Sequence, residues 1–416
     1  MLTVADGKHA ASVRANFTRT ILGDWSKILS FASHHQLVSS SHSQMLSEGL
    51  QQIVGARRPV SSELIHYYFQ ALDALQRKDK QAAAQAITWL GNVLVQYGAE
   101  GRMSGQVPVH VAADAGVGLP AARPNYRLPM AHRDALVDLS EIHSRGEEVS
   151  RSIQETWISK PSDALGIRGA TSPVAFEVKK YNERTLALSG VDPHLRLLES
   201  DRDGKAVVER LHAAFRLVES VDAEQAAEIS AVTEYVVPLR GSGFVGGSDI
   251  FLYGATFLRM QPEWSELCYA DHLVHEAAHQ LLHAEQELDP LLLNRDQTGQ
   301  PSPIRSDPRP LYGSFHATFV FLRLSLFMKE ALQNGSPELA PEAEIRLHRH
   351  LLGLLQGLQI MVDYGEFSQR GRQVLDGWIE EAHMLRAFAG TPDPRKYGLL
   401  DWDYEPANSG LQLFAA

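Results

Sequence analysis

The chain of 416 residues contains a single cysteine, Cys268, which excludes a disulfide framework and any zinc site built from cysteines. No basic run stands out and the net charge is −11, so we expect no nucleic-acid partner. No apolar run reaches the length of about 18 residues that a membrane-spanning helix needs, so we expect no membrane partner. The start of the chain lacks the charged and apolar regions of a secretory signal. Together these absences predict a soluble cytoplasmic protein.

Apolar residues recur at helical spacing over much of the chain. This spacing predicts helices at Ala11–Ser33, Ser41–Val54, Ser61–Leu75, Lys80–Tyr97, Arg133–Lys160, Lys205–Ser220, Leu311–Leu332, Pro341–Val362 and Ser368–Phe388. Runs rich in β-branched and apolar residues predict strands at Ile229–Pro238 and Asp249–Phe257, with a shorter one near Val107–Ala112. The predicted fold class is therefore mainly α with a small β-sheet, an α+β arrangement.

A stretch rich in glycine and proline, Gly98–Pro129, interrupts the helical pattern and marks a loop, a short strand or a domain boundary. We therefore predict a helical N-terminal region at residues 1–130 and a metal-binding catalytic domain at residues 131–416. One interpretation of the N-terminal region is that it recognises a leader peptide or substrate. The sequence leaves the oligomeric state open.

The most informative motif is His275-Glu-Ala-Ala-His279, an HExxH sequence inside a helical pattern. Positions four apart lie one turn above each other on a helix, so His275 and His279 can bind one divalent metal ion. Glu276 then lies beside the ion, within reach of a bound water. The alternative is a solvated helix that is merely rich in histidine. We favour the metal site, and expect a zincin-like HExxH helix followed by a second helix that carries the third ligand.

Two residues compete to be the third metal ligand. Glu285 follows His279 by six residues, as the third ligand does in one class of metalloproteases, but that class needs a glycine where this chain has Leu282. Without the turn, Glu285 lies about 15 Å along the helix from His275. His316, a lone polar ring in an apolar helical segment, is the better candidate. Its alternative role is that of a core histidine. Two further histidines on the first helix, His272 and His283, are predicted to support the ligands from behind or to lie at the rim of the site.

The loop before His316 carries Arg305, Asp307 and Arg309 on a segment stiffened by prolines. A rigid backbone and a guanidinium group suit the bidentate capture of a carboxylate. The alternative is that either arginine pairs with Asp307 or caps a neighbouring helix. We favour at least one arginine facing an anionic ligand, and prefer Arg309 because prolines flank it on both sides.

The HExxH motif, the pattern Arg305-Ser-Asp-Pro-Arg-Pro followed by His316, and the glycine-rich turn with its strand at Gly241–Phe257 together resemble one family. It is the HExxH family of iron- and 2-oxoglutarate-dependent peptide β-hydroxylases, found beside precursors of ribosomal peptides. The resemblance is clear over Ile229–Leu332 and weaker in the flanking helices; His283 departs from it.

This resemblance implies a dioxygenase that binds Fe(II) through His275, His279 and His316 and uses 2-oxoglutarate and O2. It further implies that Arg305 or Arg309 anchors 2-oxoglutarate, that Glu276 orients a ligand or water, and that the partner is a ribosomal precursor peptide. Three histidines depart from the two-histidine, one-carboxylate set usual in such oxygenases.

Two alternatives remain open at this stage. A zinc metallopeptidase would use the same three histidines, with Glu276 activating a water molecule. A protein without catalytic activity would use a closed four-ligand metal site to support an interaction surface. Three protein ligands and an open position favour catalysis over the structural site.

Overall fold

The computed structural model describes residues 2–55, 60–99, 106–112, 116–117, 134–138, 166–167, 196–197, 202–240, 245–303 and 310–393. The helices are α1 (Gly7–His34), α2 (Ser40–Gly55), α3 (Ser62–Gln76), α4 (Lys80–Ala99), α5 (Arg202–Val221), α6 (Ala223–Val232), α7 (Glu266–Leu288), α8 (Leu311–Asn334), α9 (Ala340–Tyr364) and α10 (Gln369–Ala389). The strands are β1 (Gln106–Ala112), β2 (Gly116–Val117), β3 (Asp134–Asp138), β4 (Gly166–Ile167), β5 (Arg196–Leu197), β6 (Tyr235–Arg240), β7 (Gly246–Gly247) and β8 (Ala255–Arg259). The described part of the chain is mainly helical with a small amount of sheet, which confirms the predicted fold class.

The chain divides into two compact units. The first unit comprises residues 1–14, 209–232 and 262–416, and the second comprises residues 15–208 and 233–261. The predicted boundary between residues 130 and 131 lies outside the described residues and stays a prediction.

The larger of the two sheets in the second unit is arranged around β6 and β8. These strands pair in parallel, β4 runs parallel to β6 on the other side, and short antiparallel strands complete the sheet at β5 and β7. Inward side chains of β6 and β8, including Tyr235, Val237 and Phe257, form a buried cluster. A separate small sheet has the order β2, β1, β3.

The strand predicted at Ile229–Pro238 begins later than expected. Residues up to Val232 finish α6, and the strand covers Tyr235–Arg240 instead. The helix is held at its start by Asp222, whose carboxylate accepts a hydrogen bond from the backbone N–H of Gln225 at 3.0 Å. This cap and the helical packing outweigh the β-branched residues, whose strand preference is weak and depends on context.

Two other predictions, one of a strand boundary and one of an element type, were wrong. The strand predicted at Asp249–Phe257 starts with a 3-10 turn at Ile250–Leu252, because the Asp249 carboxylate accepts from the backbone N–H of Phe251 at 2.8 Å. The helix predicted from Arg133 is instead strand β3 at Asp134–Asp138, whose backbone pairs antiparallel with β1. The remainder of that predicted helix lies outside the described residues.

Helix α8 forms the centre of the first unit. It is the one helix among the described residues that is long and apolar enough to cross a membrane, yet 83% of that apolar stretch is buried inside the protein. The rings of Phe315 and Phe319 stack on Trp378 of α10 with centroids 5.0 and 5.3 Å apart. The Trp378 indole N–H donates to the carbonyl of Leu2 at 2.7 Å. These contacts identify α8 as a core helix.

Two glycines of α9 allow it to pack closely against α8. A Cβ atom at Gly353 would lie 2.6 Å from the Phe321 ring, and one at Gly357 would lie 2.3 Å from the Thr318 hydroxyl oxygen. Larger residues would therefore push the helices apart. This close packing fixes the position of the α8 segment that carries His316.

Candidate metal centre

Helix α7 presents four histidines on one face. Ser265 caps its first turn by accepting a hydrogen bond from the backbone N–H of Cys268 at 2.9 Å. The spacings of three and four residues place His272, His275, His279 and His283 one above another. Successive ring centroids lie 6.5, 5.0 and 6.3 Å apart. The face therefore continues one turn beyond the HExxH motif in both directions.

Helix α8 brings His316 against this face. The Nδ1 atoms of His279 and His316 lie 3.1 Å apart, and their rings are nearly parallel, at 17°. Adjacent ligands of an octahedral ion lie about 3 Å apart when the metal–nitrogen bond is about 2.1 Å. His316 is only 3% exposed, and its Nε2 atom has no hydrogen-bond partner among the described residues. A buried ring nitrogen that lacks a partner is unusual, and a ligand or ion on that side of the ring would supply one.

The next turn of each helix carries a second contact between α7 and α8. The Nδ1 atom of His283 lies 2.8 Å from the hydroxyl oxygen of Tyr312. Both rings pack against His316, with centroid distances of 4.4 Å from His283 and 4.3 Å from Tyr312. His283 was predicted to support the ligands or to lie at the rim, whereas Tyr312 was not predicted as part of the site. The spacing of four residues between Tyr312 and His316 was the signal that was available.

Glu276 lies beside the first histidine of the motif. Its side chain is 2% exposed, and its Oε1 atom lies 3.9 Å from Nε2 of His275, whose side chain is 32% exposed. A carboxylate at this place can orient or deprotonate a molecule that reaches the exposed side of His275.

The three predicted ligands are held neutral. Desolvation lowers the pKa of His275 to about 3, with the charges of His272 and His350 acting in the same direction and that of Asp271 opposing them. Desolvation also lowers the pKa of His279 and of His316 well below the usual range, and neighbouring histidines add to the effect. Neutral imidazole is the form that binds a metal ion.

A buried ionic cluster supports α7 one turn before His275. The Asp271 Oδ2 atom accepts hydrogen bonds from Arg346 at 2.8 Å and from Nε2 of His350 at 2.9 Å. Burial alone would raise the pKa of Asp271, but the adjacent His350 and Arg346 hold it well below its usual range. Arg346 also pairs with Glu342 at 2.8 Å. The cluster ties the HExxH helix to α9, and sequence reasoning missed it because its members lie about 75 residues apart.

The donor set fits a metal ion in its chemistry. Within the ranges that the structure describes, no group of three or more His, Cys, Asp or Glu side chains is placed so that it could hold a metal ion. The Nδ1 atoms of His279 and His316 nevertheless have the separation of neighbouring ligands. The other ring nitrogen of His316, Nε2, has no hydrogen-bond partner among the described residues. The neutral imidazoles of His275, His279 and His316 fit a transition metal in their donor chemistry.

Other predicted residues lie apart from this pair or outside the described residues. Arg305, Asp307 and Arg309 all belong to residues 304–309, so their predicted roles stay predictions. The sequence disfavoured Glu285 as a ligand. Its side chain is buried, with the residue 1% exposed, and its carboxylate pairs with Nε2 of His9 at 2.6 Å and with the Arg370 guanidinium. Its partners therefore make it part of the ionic packing around α7.

The chain matches no protein-family model, and no curated protein is significantly similar to it.

The lowered pKa values predict how the stability of the metal-free protein depends on pH. A histidine whose pKa is lower in the folded than in the unfolded state contributes stability that is complete above the unfolded value, about 6.5, and is lost as the pH falls toward the folded value. We expect chelator-treated protein to have a lower Tm at pH 5.5 than at pH 7.5. Thermal unfolding followed by circular dichroism would measure the two Tm values. An H275Q/H279Q variant should show a shallower dependence, and an equal slope would contradict the assignment.

Proposed function

We propose that the protein is an Fe(II)- and 2-oxoglutarate-dependent dioxygenase that hydroxylates the Cβ atom of a side chain in a ribosomally made precursor peptide. The observation that carries the proposal is the 3.1 Å approach of His279, from the HExxH helix, to His316, from the next helix. The resemblance of the motif and of the arginine-proline loop to peptide β-hydroxylases supplies the reaction class. The single cysteine of the chain favours a cytoplasmic location for the proposed enzyme.

His275, His279 and His316 would hold the iron. When bound, iron with 2-oxoglutarate supplies an oxidant that inserts one atom of O2 into a C–H bond, while the other atom enters succinate and CO2 leaves. The protein contributes a neutral donor set and a largely dry wall, formed by the apolar part of α8 around the buried His316. Excluding water protects such an oxidant from side reactions.

Mass spectrometry of an incubated precursor peptide is the experiment that tests the reaction class. A gain of one oxygen atom, accompanied by an equal amount of succinate, is the expected result. Shorter peptide fragments without succinate would instead identify a hydrolase.

The rival proposal is a zinc metallopeptidase, and the buried Glu276 beside His275 favours it, because a peptidase needs a base there. E276Q separates the two. In an oxygenase the variant should retain its metal and measurable turnover, because Glu276 only orients a ligand. In a peptidase, loss of the base should reduce turnover by about 100-fold or more. Turnover of E276Q would be measured beside its metal content, and an inactive variant with full metal occupancy would contradict the oxygenase.

If Arg305 or Arg309 anchors 2-oxoglutarate, its replacement should raise the 2-oxoglutarate concentration that the enzyme needs. We expect R309A, or R305A if that residue is the anchor, to raise the 2-oxoglutarate concentration for half-maximal activity at least about tenfold, which is about 1.4 kcal/mol of lost charge-assisted binding. The dependence of initial rate on 2-oxoglutarate would measure this. R372A, on an exposed arginine of α10, is the control and should leave the requirement unchanged. If neither loop variant changes it, the cosubstrate is anchored elsewhere or is not used.

A further inference from the structure

Residues 2–9, termed the N-terminal arm, are held by buried side chains of the first unit. Leu2 is 2% exposed, and its carbonyl accepts a hydrogen bond from the indole N–H of Trp378 in α10 at 2.7 Å. The carbonyl of Thr3 accepts from the buried guanidinium of Arg323 in α8 at 3.3 Å. Buried backbone groups are almost always paired, so these two bonds fix the path of the first part of the arm.

The arm joins helix α1 where α1 lies very close to α6. The backbone N–H of Gly7 donates to Oε2 of Glu224 in α6 at 3.1 Å. A Cβ atom at Gly7 would lie 2.4 Å from the Cβ atom of Ala227, so a larger residue would push the two helices apart. The first turn of α1 is therefore held in one position, and His9 lies in that turn.

His9 joins the arm to the end of the HExxH helix. Its Nε2 atom lies 2.6 Å from Oε1 of Glu285, which belongs to the last turn of α7. The other carboxylate oxygen of Glu285 pairs with Arg370 of α10, which also pairs with Asp289 at 3.3 Å. Burial alone would raise the pKa of Glu285, but the hydrogen bonds from His9 and Arg370 hold it below its usual range. The Glu285 side chain is only 2% exposed, so the loss of either partner leaves a buried oxygen unpaired and is costly.

We propose that the N-terminal arm is a clamp on the HExxH helix, in which His9 holds the last two turns of α7 in place through Glu285. The same end of α7 carries His283, whose Nδ1 atom lies 2.8 Å from the hydroxyl oxygen of Tyr312 in α8. Detaching the arm therefore loosens the end of α7 and, with it, the contact between α7 and α8. The clamp couples the arm to the helix pair that carries the candidate centre, and this coupling does not depend on the proposed reaction.

Hydrogen–deuterium exchange of the full chain, followed by mass spectrometry, tests the clamp and needs neither a metal ion nor a cosubstrate. In H9A we expect the backbone amides of the arm and of residues 282–288 to exchange at least about tenfold faster, because a hydrogen bond to a buried carboxylate is lost. H9Q keeps an N–H donor on a side chain of similar length and should retain most of the protection. K8A is the matched control, because Lys8 is exposed and adjacent to His9, and it should exchange like the unaltered protein.

G7A tests the clamp without altering His9 or Glu285. The added methyl group meets Ala227 and should displace the first turn of α1, so residues 282–288 should again exchange faster. Faster exchange of the arm alone in H9A, with residues 282–288 unchanged, would overturn the inference. Unchanged exchange in both segments would also overturn it, and so would an equal acceleration in every helix, because a clamp acts first on the end of α7.

Discussion

H279A should lose the proposed metal ion and the proposed hydroxylase activity while keeping a folded structure. His279 is the one histidine of the motif whose ring contacts His275, His283 and His316. Loss of a residue that merely orients a ligand costs about 10- to 100-fold in metal affinity, so loss of this central ligand should cost more than about 100-fold. Equilibrium dialysis against Fe(II) under anaerobic conditions would measure the affinity, and circular dichroism would measure the fold.

H316A should behave in the same way, since two ligands from one helix rarely hold a hexacoordinate ion alone. The control is H272A, which should keep the metal. Iron bound at one equivalent in H279A would contradict the ligand assignment, whatever the activity of that variant.

R323A should be the most destabilising of the substitutions considered, although it lies away from the metal ligands. Arg323 of α8 and Glu228 of α6 form an ion pair in which the side chains are 1% and 2% exposed. Arg323 also donates to the carbonyl of Thr3 at 3.3 Å. Removing the guanidinium leaves the Glu228 carboxylate buried without its countercharge, which costs about 3 to 5 kcal/mol. Denaturant unfolding would measure this loss in the free energy of unfolding.

R77A is the matched control for R323A. Arg77, the residue that follows α3, and Asp73 of that helix form an ion pair of 2.5 Å at the surface, with side chains that are 56% and 47% exposed. Water screens such a pair, so we expect R77A to lose less than about 1 kcal/mol. Equal losses in the two variants would show that burial of the Arg323 pair does not carry the effect.

Local patterns in the sequence were sufficient for most helices. The apolar spacing predicted α8 at Leu311–Leu332, and the structure has it at Leu311–Asn334. Such patterns report which face of a helix is buried, and this does not depend on distant residues. For the same reason the shared face of His275 and His279 could be predicted.

Contacts between distant segments could not be predicted in this way. Ile229 and Val232 favour a strand by their side chains, yet the capped helix α6 contains them because packing outweighs a weak preference. The pairing of Asp271 with Arg346 and His350 joins α7 to α9, and no local spacing reports it. The contact of His283 with Tyr312 also depends on how α7 and α8 cross, and this crossing is fixed by the packing of both helices.

Anaerobic titration with Fe(II) and 2-oxoglutarate tests the central proposal most directly, because 2-oxoglutarate chelated to Fe(II) gives a weak visible absorption band. The proposed centre predicts that the band appears at one equivalent of iron, requires 2-oxoglutarate, and is absent in H279A. Tight binding of one zinc ion, with no band when iron and 2-oxoglutarate are supplied together, would contradict it.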